Sequence, residues 1–338
     1  MFKEYLNKIV KRHNLADKEI EEMIMQIFSG NIVDTQIAAF MAALATKGET
    51  FEELAGAAKA MRRKAVRIQA SASTVVDTCG TGGDGAQTFN ISTTTAFVVA
   101  GCGVTVAKHG NRSISSKCGS ADLLEALGIK IDTAPEIVEE SIREIGIGFL
   151  FAPIYHGAMK YAAKPRKEVG IRSIFNMLGP LTNPAGANCQ LLGVYAPELT
   201  EMFASALKLL GTKRAFVVHG HDGLDEISVC DATRISELKD GFIRTYDLSP
   251  EQFFGERAKP GDLIGGTSSD NAEITKRILK GEKGPKLDVV LINSAAALIA
   301  AGIAKNFDEG IKLAAESIEA GKAYDKLEKL IRFTQDNG

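Results

Sequence analysis

The chain has 338 residues and a formal net charge of −2, with 45% hydrophobic and 24% charged residues. This balance is typical of a folded globular protein and excludes a largely disordered chain. The near-neutral charge excludes general attraction to nucleic acid or acidic membranes, so an anion-binding site has to be local, and the length predicts one large domain with a smaller one beside it.

Cysteine usage and the distribution of apolar residues predict a cytoplasmic protein without a membrane span. The five cysteines are odd in number, none lies in a CxxC pair, and residues 1–13 do not resemble a signal peptide. The apolar stretch 289–304 is interrupted by Asn293 and Ser294 and is too short to cross a bilayer. We therefore expect reduced thiols and no membrane partner.

The first seventy residues predict helices throughout. Ile20, Ile24 and Ile27 recur at helical spacing, and Thr50 with Glu53 forms a capping box ahead of a second apolar helical pattern. These patterns predict a small helical domain over residues 1–72.

From residue 74 the pattern changes to short β-branched runs that alternate with helical segments, which is typical of α/β architecture. Strands are predicted at 74–77, 104–108, 147–151, 191–195 and 215–219, a hairpin at 234–238 and 241–245, and crossover helices at 92–101, 120–127, from 133 and at 199–211. After residue 270 helices are predicted again. The predicted fold class is therefore α/β, with a small all-helical domain and a large domain over residues 73–338 whose mainly parallel central sheet is flanked by helices.

A glycine-rich stretch, GTGGDG at residues 80–85, follows the first predicted strand. Four glycines in six residues let backbone N–H groups approach an anion, while Asn90, Ser92 and Thr93 add amide and hydroxyl donors. The stretch matches neither the P-loop pattern nor the dinucleotide-binding pattern. It predicts a phosphate cradle, with an ordinary turn between strand and helix as the alternative.

A second polar stretch, residues 108–120, runs from the end of the second predicted strand into a helix. Ligands of open α/β sheets bind at such carboxyl ends, and Lys108, Arg112 and Lys117 with four serines could neutralise a polyanion. A solvated surface loop is the alternative, and His109 on its own is more often structural than catalytic.

A pair of carboxylates, Asp225 and Glu226, follows the predicted strand at 215–219. Mg²⁺ commonly uses one or two protein carboxylates, while phosphate oxygens and waters complete its octahedron. The pair therefore predicts a magnesium–diphosphate site. His219 and His221 raise zinc as a minor alternative, but residues one apart on a strand point to opposite faces.

A fourth stretch, residues 156–184, combines arginines with apolar side chains and a Gly-Pro turn. Such a set can form a pocket for a flat acid, in which Arg166 pairs with a carboxylate or lies across an aromatic face. The alternative is a helical hairpin packed on the amino-terminal helices, and both interpretations can hold together.

These four blocks, in this order, closely resemble the anthranilate phosphoribosyltransferase family, which belongs to the nucleoside-phosphorylase-like transferases. The resemblance rests on the strings GTGGDG, NIST, KHGNRSISSKCGSADLLEALGI, RKEVGIRSIFNMLGPLTNP and HGHDGLDEIS, and it extends over essentially the whole chain. It implies transfer of the 5-phosphoribosyl group of phosphoribosyl diphosphate (PRPP) to the amine of anthranilate, with release of diphosphate, in tryptophan biosynthesis. It also implies Mg²⁺, a homodimer joined through helical domains, and a small domain completed by helices from about 165–185.

The resemblance further implies the site residues, and it implies no covalent nucleophile. Ser92, Asp225 and Glu226 would hold magnesium. Anthranilate would contact Gly80, His109, Asn111, His156, Arg166 and Gly179, with Asn111 at the amine. PRPP would contact Gly80, Gly82, Gly83, Asp84, Thr88, Asn90, Ser92, Thr93, Lys108, Asn111, Arg112, Ser113, Ser116 and Ser120.

Two other functions stay open at this point. A pyrimidine nucleoside phosphorylase resembles this fold and binds ribose and phosphate, but it needs no diphosphate-bound magnesium, so the Asp225–Glu226 pair and the KHGNR string favour the transferase. A non-catalytic homologue that binds nucleic acid through its loops would need a more basic surface than a net charge of −2 supplies.

Overall fold

A computed structural model describes residues 1–70, 72–113 and 117–338. Its amino-terminal part is the predicted helical domain, in which apolar side chains on one face of each helix, such as Ile20 and Ile24, are fully buried. The predicted capping box is confirmed, since Glu53 N donates to Thr50 Oγ1 at 3.3 Å and Thr50 N donates to Glu53 Oε2 at 2.9 Å. The four helices are α1 Phe2–Val10, α2 Asp17–Phe28, α3 Asp34–Lys47 and α4 Phe51–Lys64.

The rest of the chain forms one seven-stranded sheet with helices on both faces. Its strands are β1 Val75–Gly80, β2 Thr105–Gly110, β3 Ile147–Phe151, β4 Cys189–Gly193, β5 Arg214–Gly220, β6 Thr233–Lys239 and β7 Phe242–Leu248. The spatial order is β3-β2-β1-β4-β5-β6-β7, with parallel pairing from β3 to β5 and an antiparallel β5–β6–β7 edge. The α/β prediction with a mainly parallel sheet is confirmed.

Helices of the second part connect and cover the strands. They are α5 Ile91–Gly101, α6 Ser120–Ala126, α7 Pro135–Glu144, α8 Ala152–Tyr155, α9 Lys160–Val169, α10 Ile174–Met177, α11 Leu199–Leu209, α12 Glu251–Phe254, α13 Ser268–Leu279, α14 Pro285–Ala301, α15 Phe307–Glu319 and α16 Lys322–Asn337, with short 3₁₀ turns at Gly157–Met159, Gly179–Leu181 and Pro260–Leu263. Within the described ranges, none of these helices combines the length and apolarity that crossing a bilayer requires.

Some boundaries differ from those predicted. The helix expected from residue 133 begins at Pro135, because proline is well suited to the first helical position. Strand β1 runs on to Gly80, beyond the apolar run, because β4 pairs with it as far as Gly80 and Gly193. The length of β1 thus depends on its hydrogen bonds to β4, which the local sequence pattern does not reveal.

The two larger hydrophobic cores lie on opposite faces of the sheet. One packs Val76, Val106 and Val218 against α5 and α14. The other joins Leu192 and Val217 to α11 and to the core of the amino-terminal helices. Because this second core is continuous, the helical domain packs directly against the sheet side of the molecule.

Strand β1 is the topological switch point of the sheet. The strands that follow it in sequence, β2 and β3, lie on one side of it, and β4 to β7 lie on the other. In open α/β sheets the crevice at the carboxyl ends of such neighbouring strands is the usual ligand site. The glycine-rich loop leaves β1 at this place, and the polar stretch leaves β2 beside it.

Candidate active site

A cleft of about 880 Å³ lies at the carboxyl edge of the sheet and is walled on its other side by α4, α9 and α10. All four predicted blocks reach it. Its lining contains five cationic side chains and three carboxylates, which are Lys108, Arg112, Lys160, Arg166, Arg172, Asp84, Asp225 and Glu226. The lining of the cleft therefore has more cationic side chains than carboxylates, which favours the binding of an anion.

The glycine-rich loop forms one end of the cleft. Gly82, Gly83 and Gly85 have φ angles of 66°, 80° and 73°, a region that side-chain-bearing residues rarely adopt. Helix α5 starts directly after it, with Asn90 Oδ1 accepting from Thr93 N at 3.1 Å. Loop amides and a helix N-terminus together give the geometry of an anion cradle.

The loop is held against the third block by close backbone contacts. Gly82 N donates to Asp225 Oδ2 at 2.9 Å, and Thr81 N donates to Gly193 O at 2.9 Å. A Cβ on Gly193 would lie 1.5 Å from Asp225 O, so this strand end has to be glycine for Asp225 to reach the loop.

Lys108 is buried beneath the loop, at the end of β2. Its ammonium donates to Thr78 O and, at 3.3 Å, to Ser92 Oγ. Burial lowers the pKa of Lys108, while the charges of Asp77, Cys79 and Glu226 counteract that shift. The lysine is therefore fixed as a point charge beside the start of α5.

Asp225 and Glu226 form an acidic corner of the cleft with Asp84. Burial raises the pKa of Asp225 to about 7, and repulsion from Asp84 adds to the rise. Burial likewise raises the pKa of Glu226, with Asp225 adding to it and Lys108 opposing it, and the Ser92 amide donates to the Glu226 carboxylate. These raised pKa values report a negative charge density that a cation would relieve.

The donor chemistry of this corner fits Mg²⁺. Within the described ranges no group of three or more His, Cys, Asp or Glu side chains is arranged to hold a metal by itself. Mg²⁺ does not require such a group, because one or two carboxylates suffice when a phosphate ligand and waters supply the other oxygens. Asp225 and Glu226 are hard-oxygen ligands placed directly beside the cradle.

The two histidines of the zinc alternative serve separate contacts. His219 is buried with Nδ1 2.7 Å from Val194 O, whereas His221 is exposed with Nε2 3.2 Å from Asp247 Oδ1. Their divergence is the one expected for alternate residues at a strand end.

The polar stretch after β2 reaches the cleft with Asn111, Arg112, Ser113 and Ser120. The Arg112 guanidinium already contacts Glu125, with Nη2 2.8 Å from Oε1, and Asp122 at 3.1 Å. Both terminal nitrogens of this guanidinium are therefore engaged with carboxylates. Ser116 lies outside the described residues.

Thr88 lines the cleft, but Thr93 does not share this position. Its side chain is buried behind Lys108, and only its backbone amide takes part in the cap at Asn90. Thr93 can therefore affect an anion only through its backbone amide, which is part of the N-terminus of α5.

His109 and His156 lie together at the other end of the cleft. Their rings meet edge to face with centroids 5.0 Å apart, and both side chains are buried. Burial lowers the pKa of His109 to about 3, with His156 adding to the fall, and lowers that of His156 to about 4. Both imidazoles are therefore neutral near pH 7.

Several polar atoms at this end lack hydrogen-bond partners within the described residues. They are Nε2 of His109 and both ring nitrogens of His156, whereas Nδ1 of His109 lies 3.2 Å from Gly179 O. Buried nitrogens of this kind normally have a partner, so they point to groups that a ligand supplies.

Arg166 projects from α9 into the same end. Burial lowers the pKa of Arg166, and among the residues that the structure describes no carboxylate lies within ion-pair distance of it. Met61 and Phe175 provide apolar surface nearby along the cleft. An unpaired, half-buried guanidinium beside apolar side chains suits a flat aromatic acid.

The sequence assigned no individual site role to three residues that shape the site, which are Asp77, Arg172 and Tyr195. Asp77 is fully buried in β1, where Oδ1 accepts from His109 N at 3.1 Å and Oδ2 accepts from Asn183 Nδ2 at 2.8 Å. Arg172 lies over the Tyr195 ring at 4.1 Å and donates to Gly83 O. A carboxylate within an apolar strand could have indicated that Asp77 is functional, whereas nothing in the local sequence indicates a role for Tyr195.

Comparison with known families and structures shows the family of the chain. Two family models match the chain, a glycosyl transferase family helical bundle domain over residues 3–65 and a glycosyl transferase family a/b domain over residues 72–324. Anthranilate phosphoribosyltransferases from Desulfosudis oleivorans and Desulfatibacillum aliphaticivorans are 68% and 67% identical, each over 100% of both chains.

Solved structures of the same kind superpose over the whole chain. A crystal structure of anthranilate phosphoribosyltransferase from Thermus thermophilus has a TM-score of 0.93 at 42% identity, covering 98% of this chain and 99% of that one. The Saccharomyces cerevisiae enzyme in complex with PRPP and Mg has a TM-score of 0.90 at 31% identity, covering 99% and 98%. Its complex with 4-fluoroanthranilate has a TM-score of 0.88 at 30% identity, covering 98% and 97%.

Proposed function

The chain belongs to the anthranilate phosphoribosyltransferase family, a phosphoribosyl-transferring enzyme of tryptophan biosynthesis, and we propose that the cleft described above is its active site, with PRPP at the glycine loop and anthranilate at Arg166. The observation that carries the proposal is the division of one cleft into two ends. An anion cradle with adjoining carboxylates occupies one end, and an unpaired guanidinium with orphaned histidine nitrogens occupies the other.

The donor end would take the diphosphate and ribose of PRPP. Gly82 and Gly83 would supply amides, Lys108 a fixed charge, and Asn90 with Ser92 the start of α5. Gly80, Asp84, Thr88, Ser113 and Ser120 line the same space. Thr93 would contribute through its backbone amide at the start of α5. A contact between Ser116 and PRPP rests on the resemblance to the family alone.

Ser92, Asp225 and Glu226 would hold Mg²⁺ between the cradle and the acidic corner. The metal would supply positive charge to the oxygens of the leaving diphosphate. A Saccharomyces cerevisiae relative crystallised with PRPP and Mg supports this assignment.

The acceptor end would take anthranilate. Arg166 would pair with the carboxylate, while Asn111, His109, His156 and Gly179 would line the space for the ring and the amine. The neutral histidines can accept or donate a hydrogen bond without adding charge. The Saccharomyces cerevisiae complex with 4-fluoroanthranilate supports an aromatic acid as the ligand.

The reaction breaks the bond between the anomeric carbon and diphosphate as the aromatic amine attacks that carbon. Positive charge develops on the sugar, and negative charge grows on the leaving group. Lys108 and the loop amides stabilise the leaving group electrostatically, because they are fixed in a partly dry cleft before the reaction starts. The acceptor end holds the amine near the anomeric carbon and lowers the entropic cost of their encounter.

The alternative functions are not favoured. The two relatives named above, which match the whole chain, are anthranilate phosphoribosyltransferases, whereas a pyrimidine nucleoside phosphorylase would not need the Asp225–Glu226 corner. A nucleic-acid-binding role lacks a basic surface at a net charge of −2.

The proposal extends to the assembly, the domain limits and the location. A homodimer joined through the helical domains agrees with exposed Val10 and Val33 there, which are 64% and 61% accessible. A domain division at residues 72 and 73, with α9 and α10 completing the small domain, agrees with the packing of α9 on α3. The free thiols of Cys79, Cys102, Cys189 and Cys230 agree with a cytoplasmic location.

Loss of anthranilate fluorescence on addition of PRPP tests the function. We expect the loss to require Mg²⁺ and to stop when a chelator is added. A parallel assay with phosphate and thymidine or uridine tests the phosphorylase alternative. Turnover in that assay, together with unchanged anthranilate fluorescence, would overturn the proposed function.

A further inference from the structure

Arg172 reaches across the cleft from the helical side to the glycine loop. Its Nη2 donates to Gly83 O at 2.5 Å, and its guanidinium carbon lies 4.1 Å from the centre of the Tyr195 ring. Gly83 follows β1 and Tyr195 follows β4, so this one side chain touches the loops after both strands at the topological switch point of the sheet. Among the described residues no carboxylate pairs with it.

The backbone around Arg172 is fixed from both sides. Helix α9 ends at Gly170, whose φ of 66° provides the left-handed cap and whose N donates to Arg166 O at 3.1 Å. Helix α10 begins after Ser173, whose N donates to Asn176 Oδ1 at 3.2 Å. Two residues between two helix caps leave little freedom, so the side chain starts from a defined position.

The hydrogen bond sets the orientation of one peptide in the cradle. In a trans peptide the carbonyl and the following N–H point in opposite directions. Because Gly83 O faces Arg172, the Asp84 N–H faces away from it. Gly83, with φ at 80°, has no Cβ to resist rotation of this peptide, and a Cβ there would lie 2.6 Å from Arg172 Nη2.

We propose that Arg172 is a positioning residue, stacked on Tyr195, which fixes the Gly83–Asp84 peptide and so holds the cradle ready for an anion. This inference rests on the proposed function for the identity of the anion, PRPP. A planar guanidinium suits the task because it can stack and donate at once, which a lysine ammonium cannot do with fixed geometry.

Amide hydrogen exchange of the ligand-free protein tests the tether without any substrate. In Arg172→Ala we expect the amides of residues 82–87 to exchange at least tenfold faster than in the wild type. Tyr195→Leu should give a smaller increase in the same amides, and Tyr195→Phe, which keeps the ring, should give none. Arg143→Ala removes an exposed arginine on α7 and serves as the control.

Titration with PRPP in the presence of Mg²⁺ tests the consequence. We expect the Kd for PRPP to rise about tenfold in Arg172→Ala, while the KM for anthranilate stays within threefold, since Arg166 is untouched. Arg172→Lys should recover little of the lost affinity. A merely structural role would lower Tm without this split between the two substrates.

Unchanged exchange in Arg172→Ala would overturn the proposal. Full recovery by Arg172→Lys would also overturn it, because a mobile point charge would then suffice. If the wild type binds no PRPP, the proposed function fails, whereas the exchange experiment still decides whether Arg172 tethers the loop.

Discussion

The two ends of the cleft are built by different physical means. At the donor end, charged and polar groups are already engaged with one another: Gly82 N with Asp225, Lys108 with Ser92, and the Ser92 amide with Glu226. At the acceptor end, Arg166, Nε2 of His109 and both ring nitrogens of His156 lack such partners among the described residues. The donor end is therefore preorganised around backbone and coupled charge, and the acceptor end offers free side chains to a ligand.

This contrast teaches where a substitution does most damage. Removing one member of a coupled buried set leaves its partners uncompensated, so donor-end changes cost more than the contact itself. Removing an unpartnered acceptor-end group costs only what the ligand gains from it.

The largest effect is expected at the acidic corner. Asp225→Asn with Glu226→Gln should reduce Mg²⁺-dependent turnover by about 1,000-fold or more, because electrostatic stabilisation of the leaving group is lost. Circular dichroism should show an intact fold. Asp325→Asn with Glu328→Gln, an exposed pair on α16, is the matched control. A normal rate in the Asp225–Glu226 variant would remove these residues from the metal site.

Lys108→Met should follow. Methionine keeps much of the volume of this buried side chain but removes its charge, so we expect kcat/KM for PRPP to fall roughly 100- to 1,000-fold, as when a preorganised stabiliser of the developing charge is lost. The KM for anthranilate should change little. Steady-state kinetics with each substrate varied in turn measures both, and a large rise in the KM for anthranilate would contradict the division of the cleft.

Arg166→Lys should act on the opposite substrate. Loss of a bidentate pair with a carboxylate costs about 1.5–3 kcal/mol, so the KM for anthranilate should rise roughly 10- to 100-fold. The Kd for PRPP should stay near the wild-type value. Lys164→Arg on the exposed side of the same helix is the control, and it shows whether exchanging one basic side chain of α9 for the other has any effect by itself.

The smallest effect concerns stability against pH at the acceptor end. Burial lowers the pKa of His156 from 6.5 to about 4, so below pH 6.5 the unfolded chain takes up a proton that the folded chain refuses. This term reduces wild-type stability as the pH falls, by about 1 kcal/mol between pH 7 and 5.5. The His156→Gln variant has no imidazole at this position, so it lacks this loss of stability.

Denaturant unfolding at both pH values measures this difference. Taking wild type minus variant cancels the opposite contribution of the acidic corner, where the raised pKa of Asp225 makes folding take up protons as the pH falls. A wild-type-minus-variant difference that is the same at pH 7 and pH 5.5 would show that His156 titrates normally in the fold.

Much of the fold followed from local patterns. The capping box at Thr50 and Glu53, the strand at 147–151 and the hairpin after residue 233 could be predicted because periodicity and capping chemistry act within a few neighbouring residues. Boundaries such as the end of β1 at Gly80 depended on pairing with β4, a partner more than a hundred residues away.

The candidate site divides in the same way. The types of residue that face the cleft, including Asp225, Glu226 and Lys108, could be predicted from their chemistry and their place after a strand. Their states could not, because the pKa shifts of His109 and Asp225 come from burial and from neighbours brought in by other elements. The pairing of Arg112 with Glu125 likewise belongs to the folded loop and helix.

Glycine content, periodicity and ligand chemistry are properties of short stretches, so the α/β class, the glycine-rich loop after β1 and the carboxylate pair could be recognised without the fold. Three features could not: Arg172 and Tyr195 meet at Gly83, Asp77 accepts a hydrogen bond from the His109 amide, and Arg166 has no carboxylate partner among the described residues. These facts depend on contacts between distant segments, whose packing no local pattern specifies.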